Sequence, residues 1–476
     1  MSNIQYKWTV LTVTTIGVLM AGIDGRIVVI GLPQIAAALG ADAEQAIWFT
    51  QSYMLGSTIV LLLMGRLSDM FGRVKMYSVG FAIFTIGSGL TSLSLQPTQV
   101  ILFRVIQGFG SGIIMVNSTA LILDATPIKE VGFSLGINMT AFSVGSMAGL
   151  TLSGVILAVL DWRALFYINV PIGIFGTLWA IRRLREIGHT ERETPIDWVG
   201  FITFTTFIAS LLLALTFAAY GMAEQTTVYV LSTISVASLI VFTAYERRIE
   251  RPLLDLRLLR IREFTGGITA QIISAVAMGA VQLLLSLYLQ LGLGLSPFDA
   301  GIRIIPFNLA AMAVGAVSGK LSDRYGTLPF TTGGLAMTSF SLYLLSTFDL
   351  STPYSTMVVC FVIMGVSGGL FGSPNMSSIM GSVPPARRGV ASAFRSAMFN
   401  AGMTVSLNLA TLLMTLTVPY TVLTQVISGS PLVTETEKTL FIEGLKKTYL
   451  WLTALNAIAI IPSVLRGKRV NEPPHP

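Results

Sequence analysis

Read for its apolar and polar positions, the chain is a succession of long apolar runs separated by short polar loops. The runs are continuously apolar rather than alternating, and each is near the roughly 20 residues a helix needs to cross the hydrocarbon core. In lipid every backbone group must be bonded internally, which leaves helices and closed barrels; run length and the lack of alternation select helices. The pattern predicts spans at 8–32, 46–65, 76–95, 99–122, 131–158, 164–182, 198–220 and 226–245. Six more follow at 264–291, 300–319, 329–348, 354–380, 388–417 and 448–466, making fourteen. The first run contains an acid and is long for a cleaved leader, so residues 8–32 are expected to be a retained span. The outer segment 418–447 is less apolar and reads as a hairpin or an interfacial helix. The segment 246–264 alternates charged residues with Leu and Ile and reads as a helix lying on the inner membrane surface.

Composition supports this class. Of 476 residues, 53% are apolar and 11% charged, with a mean hydropathy of +0.75. A soluble chain carries about a quarter charged residues. The net charge of +7 is spread over short loops rather than gathered in one patch, which argues against nucleic acid as a partner. With both termini cytoplasmic, 22 Lys and Arg fall on the inner side. Four fall outside (Arg163, Lys438, Lys446, Lys447) and four inside spans (Arg26, Arg104, Arg303, Arg395). That bias orients the chain in a cell membrane. Cys360 is the one cysteine, so no internal disulfide is expected.

An internal repeat organises the runs. GRLSDMFGRVKM begins at Gly65 and GKLSDRYGTLPF at Gly319, 254 residues later. Gly108 and Gly112 match Gly365 and Gly369 at an offset of 257, as Gly132, Gly136 and Gly145 match Gly389, Ala393 and Gly402. The first six spans therefore resemble the last six, with the pair at 198–245 inserted between them. The expected organisation is a six-helix half over 1–190, two inserted helices and a linker over 191–263, and a second half over 264–476. Parallel six-span halves characterise one class of secondary transporter, with a site at the interface of the repeats.

Five segments carry a resemblance to a known family. GRLSDMFGRVKM (65–76), RVIQGFGSG (104–112), GSMAGLTLSG (145–154), DGRIVVIGLP (24–33) and DWRALFYINVPIG (161–173) resemble motifs of major facilitator superfamily transporters, in the fourteen-span drug:proton antiporter subfamily. The resemblance implies an all-α integral membrane fold of 14 transmembrane helices, two six-helix halves plus two inserted helices. Gly145, Gly149 and Gly154 occupy the antiporter motif. Gly65, Asp69, Gly72 and Arg73, with Asp124 as third partner, match the conformational latch, and Asp323 and Arg324 repeat part of it. Two positions depart from the pattern: Arg26 stands where the subfamily carries Thr, and Leu150 where the antiporter motif carries Pro.

Asp24 is the one acid well inside a predicted span, and an intramembrane carboxylate is a functional candidate by default. Sixteen residues separate it from Trp8, about 24 Å of helix, which puts it in the outer third of the core. Arg104, a few residues into a descending span, is expected at similar depth, so the two are expected to pair. Burial and a neighbouring cation act in opposite senses on the charge of such a group, which suits a proton carrier. Arg26 lies about 200° around the helix from Asp24. It is expected either to reach the outer headgroups or to meet an anion or lipid headgroup. Gln107, Asn117, Gln282, Tyr288, Gln290, Phe307 and Asn308 are candidates to line a substrate cavity. Asn117, Asn138 and Asn375 fit the glycosylation pattern but lie in spans, so modification is not expected. His189 and His475 lie in polar segments, and no phosphate-binding G-x-x-x-x-G-K-[ST] is present. An enzyme or an ATP-driven pump is not expected, nor any cofactor. These readings converge on a monomeric exporter of amphipathic small molecules, driven by protons and surrounded by lipid. The alternatives are a lipid or anionic-metabolite carrier, or a non-transporting membrane sensor.

Overall fold

A computed structural model describes residues 3–127, 130–187, 197–220, 225–249, 252–384, 388–419, 422 and 434–467. Every regular element among them is helical. The first half of the chain supplies α1 (Asn3–Leu39), α2 (Ala43–Phe71), α3 (Arg73–Ser92), α4 (Pro97–Ala125) and α5 (Val131–Val159). Next come α6 (Ala164–Tyr167), α7 (Asn169–Arg183), α8 (Trp198–Tyr220) and α9 (Gln225–Glu246). Then follow α10 (Arg262–Met278), α11 (Val281–Leu287), α12 (Pro297–Tyr325), α13 (Thr327–Leu345) and α14 (Tyr354–Gly381). The described helices end with α15 (Arg388–Thr415), α16 (Glu435–Ile458) and α17 (Ile460–Leu465). Among the described residues, 11 stretches are long and apolar enough to cross a membrane. Helices α2, α3 and α13 occupy the other three expected positions without meeting that standard.

Local chemistry sets several of the boundaries. Asp42 caps α2 by accepting from the Gln45 amide while the Gln45 side chain accepts from the Asp42 amide. Pro97 opens α4 in the first turn, where its missing N–H costs nothing. Pro33 does not end α1, which was expected to stop at residue 32 and continues through the helix-favouring QIAAAL to Leu39. The expected span 264–291 is one apolar stretch with a break. α10 gives way at Gly279, and the Ala280 amide donates to Ser406 Oγ at 2.9 Å. After α11 the stretch closes on a π-helical turn, Tyr288–Gly292, a form that gathers at functional sites.

One expectation is corrected, and another falls largely outside the described residues. In the described part of the outer segment, α16 begins at Glu435 and continues into the last apolar stretch. Most of 420–433 lies outside the described residues. The inner segment 246–264 is not a surface helix; its one described helical piece between α9 and α10 is a five-residue 3₁₀ turn, Leu256–Arg260. Pro252 lacks an amide hydrogen, and Asp255 takes the Arg257 amide, so the chain turns there rather than winding an α-helix.

The described helices form two compact units. The first contains 1–253, 282–302 and 418–441; the second contains 254–281, 303–417 and 442–476. Each packs through the glycines of the repeat. In the first unit, a Cβ on Gly108 would lie 2.2 Å from the Tyr53 carbonyl, and one on Gly112 2.8 Å from the Ser57 carbonyl. In the second unit, a Cβ on Gly365 would lie 2.2 Å from the Phe307 carbonyl, and one on Gly369 2.8 Å from that of Ala311. Phe307 and Ala311 stand 254 residues beyond Tyr53 and Ser57, the offset of the repeated loop motif. The same close backbone approach of helices is thus built twice.

Candidate functional site

The structure joins Asp24 of α1 to Arg104 of α4, as expected. Arg104 Nη1 donates to Asp24 Oδ2 at 2.6 Å, and the two residues are 1% and 0% exposed. Gln107 Nε2 donates to Asp24 Oδ1 at 2.8 Å, and its Oε1 accepts from Arg104 Nη1 at 2.9 Å. Gln107, expected to line a cavity, is therefore part of this centre. A third donor, Asn169 Nδ2, reaches Asp24 Oδ1 at 2.8 Å. Asn169 was not singled out from the sequence. Its one signal was its place in DWRALFYINVPIG, where it opens α7 after the interruption at Ile168.

Arg104 is held from its other sides as well. Its Nε donates to the Phe49 carbonyl at 3.1 Å, and its guanidinium lies 4.2 Å from the Tyr53 ring centroid and 5.6 Å from that of Phe166. Tyr53 donates to Ser111 Oγ at 2.7 Å, and Ser88 Oγ donates to the Phe166 carbonyl at 2.8 Å. A buried ion pair is tolerable only where the remaining polar atoms find partners, and this one has donors on both carboxylate oxygens. Asn169 Oδ1 is buried without a hydrogen-bond partner beside it. The centre thus carries a charge that can be neutralised by one proton, next to an acceptor with spare capacity.

α1 is 37 residues long, about 55 Å. Asp24 lies about 32 Å from its start and about 22 Å from its end. Arg26 is half-buried and sits about 20 Å of helix before Leu39.

The glycines of GSMAGLTLSG seat α5 on this region. A Cβ on Gly145 would lie 2.3 Å from the Leu19 carbonyl and one on Gly149 2.4 Å from that of Ile23. One on Gly154 would lie 2.7 Å from Phe298 Cα at the start of α12. The first two line up along the face of α1 that flanks Asp24.

At the loop motif, Gly72 has φ 96° and Gly326 φ 85°, a region that only glycine enters freely, so both copies make the same sharp turn between helices. Arg73 Nη1 donates to Asp124 Oδ1 at 2.5 Å, joining two of the three expected latch residues. Gly65 and the side chains of Asp69 and Asp323 lie outside the described positions. Arg324 is exposed and packs 5.4 Å from the Tyr325 ring centroid. Glu186, missed in the sequence, accepts from the amides of Arg73 at 2.8 Å and Val74 at 3.0 Å, placing a carboxylate on the N-terminus of α3.

The other expected lining residues divide. Asn117 is buried and donates to the Ile113 carbonyl of its own helix at 2.9 Å. Gln290 donates to the Ile30 carbonyl at 3.2 Å and to Ser286 Oγ at 2.7 Å. Gln282 and Tyr288 are buried in the same stretch, and Gln282 Oε1 has no hydrogen-bond partner. Phe307 and Asn308 are half-buried on α12 in the second unit. Cys360 is a buried free thiol. Asn138 and Asn375 are buried like Asn117, and both histidines lie outside the described residues.

A family model described as Major Facilitator Superfamily matches residues 14–407. The chain belongs to the Major Facilitator Superfamily. It is 32% identical over 399 residues to riboflavin transporter RibZ of Clostridioides difficile, covering 83% of this chain and 86% of that protein. It is 30% identical over 404 residues to multidrug resistance protein 3 of Bacillus subtilis, covering 83% and 77%. A solved structure of an autoinhibited POT family peptide transporter superposes with a TM-score of 0.67 at 15% identity, over 98% of this chain and 99% of that one. This last likeness concerns the fold alone. Membership makes this a multi-pass membrane protein that moves a small molecule, a secondary transporter rather than an enzyme.

Proposed function

We propose that the protein exports amphipathic organic compounds from the cytoplasm in exchange for protons, as a fourteen-span drug:proton antiporter of the plasma membrane with both termini inside. The observation that carries this reading is the Asp24 centre: an intramembrane carboxylate bonded by Arg104, Gln107 and Asn169 and closed from solvent. In the deprotonated centre the carboxylate holds Arg104. A proton on Asp24 cancels the pair's attraction and frees the donors of Gln107 and Asn169. α1, α4 and α7 are tied through this one carboxylate, so its protonation changes what holds them together. The proton can then be exchanged for substrate across an alternating-access cycle.

In this reading the chain divides into halves at 1–190 and 264–476, with 191–263 as an inserted pair and linker. Gly65, Asp69, Gly72, Arg73 and Asp124, echoed by Asp323 and Arg324, act as the cytoplasmic latch, supported by the Arg73–Asp124 bond and the repeated turn. Gly145, Gly149 and Gly154 set the approach of α5 to its neighbours. Gln282, Tyr288, Gln290, Asn117, Phe307 and Asn308 face substrate.

The names of the relatives suggest where to begin. Purified protein in liposomes, given an imposed pH gradient, would be offered riboflavin and a set of amphipathic dyes. Accumulation of at least one compound that collapses when the gradient is dissipated is the expected result. Binding of these compounds without gradient-dependent movement would instead identify a sensor.

A further inference from the structure

Arg26 is the embedded charge that the Asp24 centre does not use. It lies on the far side of α1 from Asp24, and it has no ion pair or hydrogen bond among the described residues. Arg104 is neutralised by Asp24, whereas Arg26 is not matched by any carboxylate described nearby. An isolated guanidinium deep in a membrane protein calls for an anion or for polar acceptors.

The packing around it supplies a second observation. Val29 and Ile30, three and four residues beyond Arg26 on the same face of α1, present their carbonyls to Ser286 at 3.4 Å and Gln290 at 3.2 Å. One turn back along α11 from Ser286 is Gln282, and one turn back along α1 from Val29 and Ile30 are Gly25 and Arg26. Gln282 is 8% exposed, and its Oε1 is buried with no hydrogen-bond partner. A donor fork without an acceptor and an acceptor without a donor thus each lie one turn back from the hydrogen bonds that join this segment to α1. All of these residues belong to the first compact unit.

We propose that Arg26 and Gln282 form the subsite for the acidic group of an organic-anion cargo. The Arg26 fork takes a carboxylate or phosphate oxygen in bidentate fashion, and Gln282 Oε1 takes a hydroxyl or N–H carried beside it. The inference rests on the transport function proposed for this chain and narrows its substrates from amphipathic compounds in general to those with an oxyanion. The π-helical turn at Tyr288–Gly292, a form that gathers at functional sites, follows this segment directly. The second unit offers an independent parallel in Arg395, whose Nε is buried without a partner and whose one described side-chain bond is to Ser396 Oγ at 3.3 Å.

The test is equilibrium binding to the purified full chain in detergent, read as ligand-induced thermal stabilisation with no pH gradient. Failure of proton coupling therefore leaves this measurement untouched. The probes are naphthoate, octanoate and naphthyl phosphate, each against its neutral amide or alcohol, with phosphatidic acid in mixed micelles as the lipid source of the same chemistry. At least one acid should bind about tenfold or more tightly than its neutral counterpart. Arg26→Gln should abolish that preference, Arg26→Lys should keep part of it, and Gln282→Leu should weaken 3-hydroxyoctanoate, used beside octanoate, more than octanoate itself. Unliganded melting curves identify any variant that is merely unfolded, and Arg26→Lys then decides the charge question. Preference for phosphatidic acid alone, lost in Arg26→Gln, would assign the site to a headgroup. No stabilisation by any of the acids, equal binding of acids and neutral counterparts, or an acid preference that survives Arg26→Gln would overturn the proposal.

Discussion

At the level of single residues, the pairing of Asp24 with Arg104 was legible because depth along a helix is arithmetic: a fixed rise per residue places two side chains at one level from their numbering alone. What arithmetic cannot give is the direction of a third helix. Asn169 reaches the same carboxylate from α7 only because that helix restarts after Ile168, and its polar side chain was hidden within the apolar run ALFYINVPIG. In the proposed function Asn169 is a positioning residue for Asp24. Asn169→Ala removes one donor from a buried carboxylate, a hydrogen bond to a charged group worth about 1.5–3 kcal/mol. Gradient-driven transport should fall about tenfold and its pH profile should shift, while Asn169→Gln restores part of the rate. A variant with an unchanged pH profile would leave Asn169 with a packing role only.

At the level of elements, the glycines were readable as helix-packing positions, and their partners were not. Gly149 presses on the Ile23 carbonyl beside Asp24, so any side chain there must push α5 away from α1. Gly149→Leu should lower the melting temperature, by about 1–3 kcal/mol of overpacking. Gly368→Ala is the control, because nothing lies within 4 Å of the added Cβ. Equal melting temperatures for both variants would show that the α1–α5 contact is slack. The α3 N-terminus offers a second check. Glu186→Gln removes the negative charge that accepts from Arg73 and Val74, and hydrogen exchange of those two amides should quicken about threefold at low salt. The surface-helix expectation for 246–264 failed for a local reason. Alternating charge and leucine specifies an amphipathic pattern, but Pro252 and the Asp255 cap decide the backbone.

At the scale of the whole molecule, the repeat carried the most information, since one offset of 254 residues relates the loop motif and the packing faces of α2 and α12 alike. The sequence could not show which residues of the second half join the first compact unit; that depends on the break at Gly279 and the docking of Ser286 and Gln290 on α1. If the cargo is an organic anion leaving as a proton enters, each cycle moves two charges in the same electrical sense. The membrane potential then contributes about 2.3 kcal/mol per charge per 100 mV. An inside-negative potential set with valinomycin should speed export at zero pH gradient, and a rate indifferent to the potential would rule out that stoichiometry. The central claim, that Asp24 carries the proton, is tested most directly by Asp24→Asn in liposomes. Two activities would be compared for the compound found by the accumulation screen: exchange of labelled for unlabelled substrate, and uptake driven by a pH gradient. Asn keeps the shape and part of the hydrogen bonding of the carboxylate, so exchange should persist while gradient-driven uptake disappears. Gradient-driven uptake by Asp24→Asn at the unmutated rate would contradict the account.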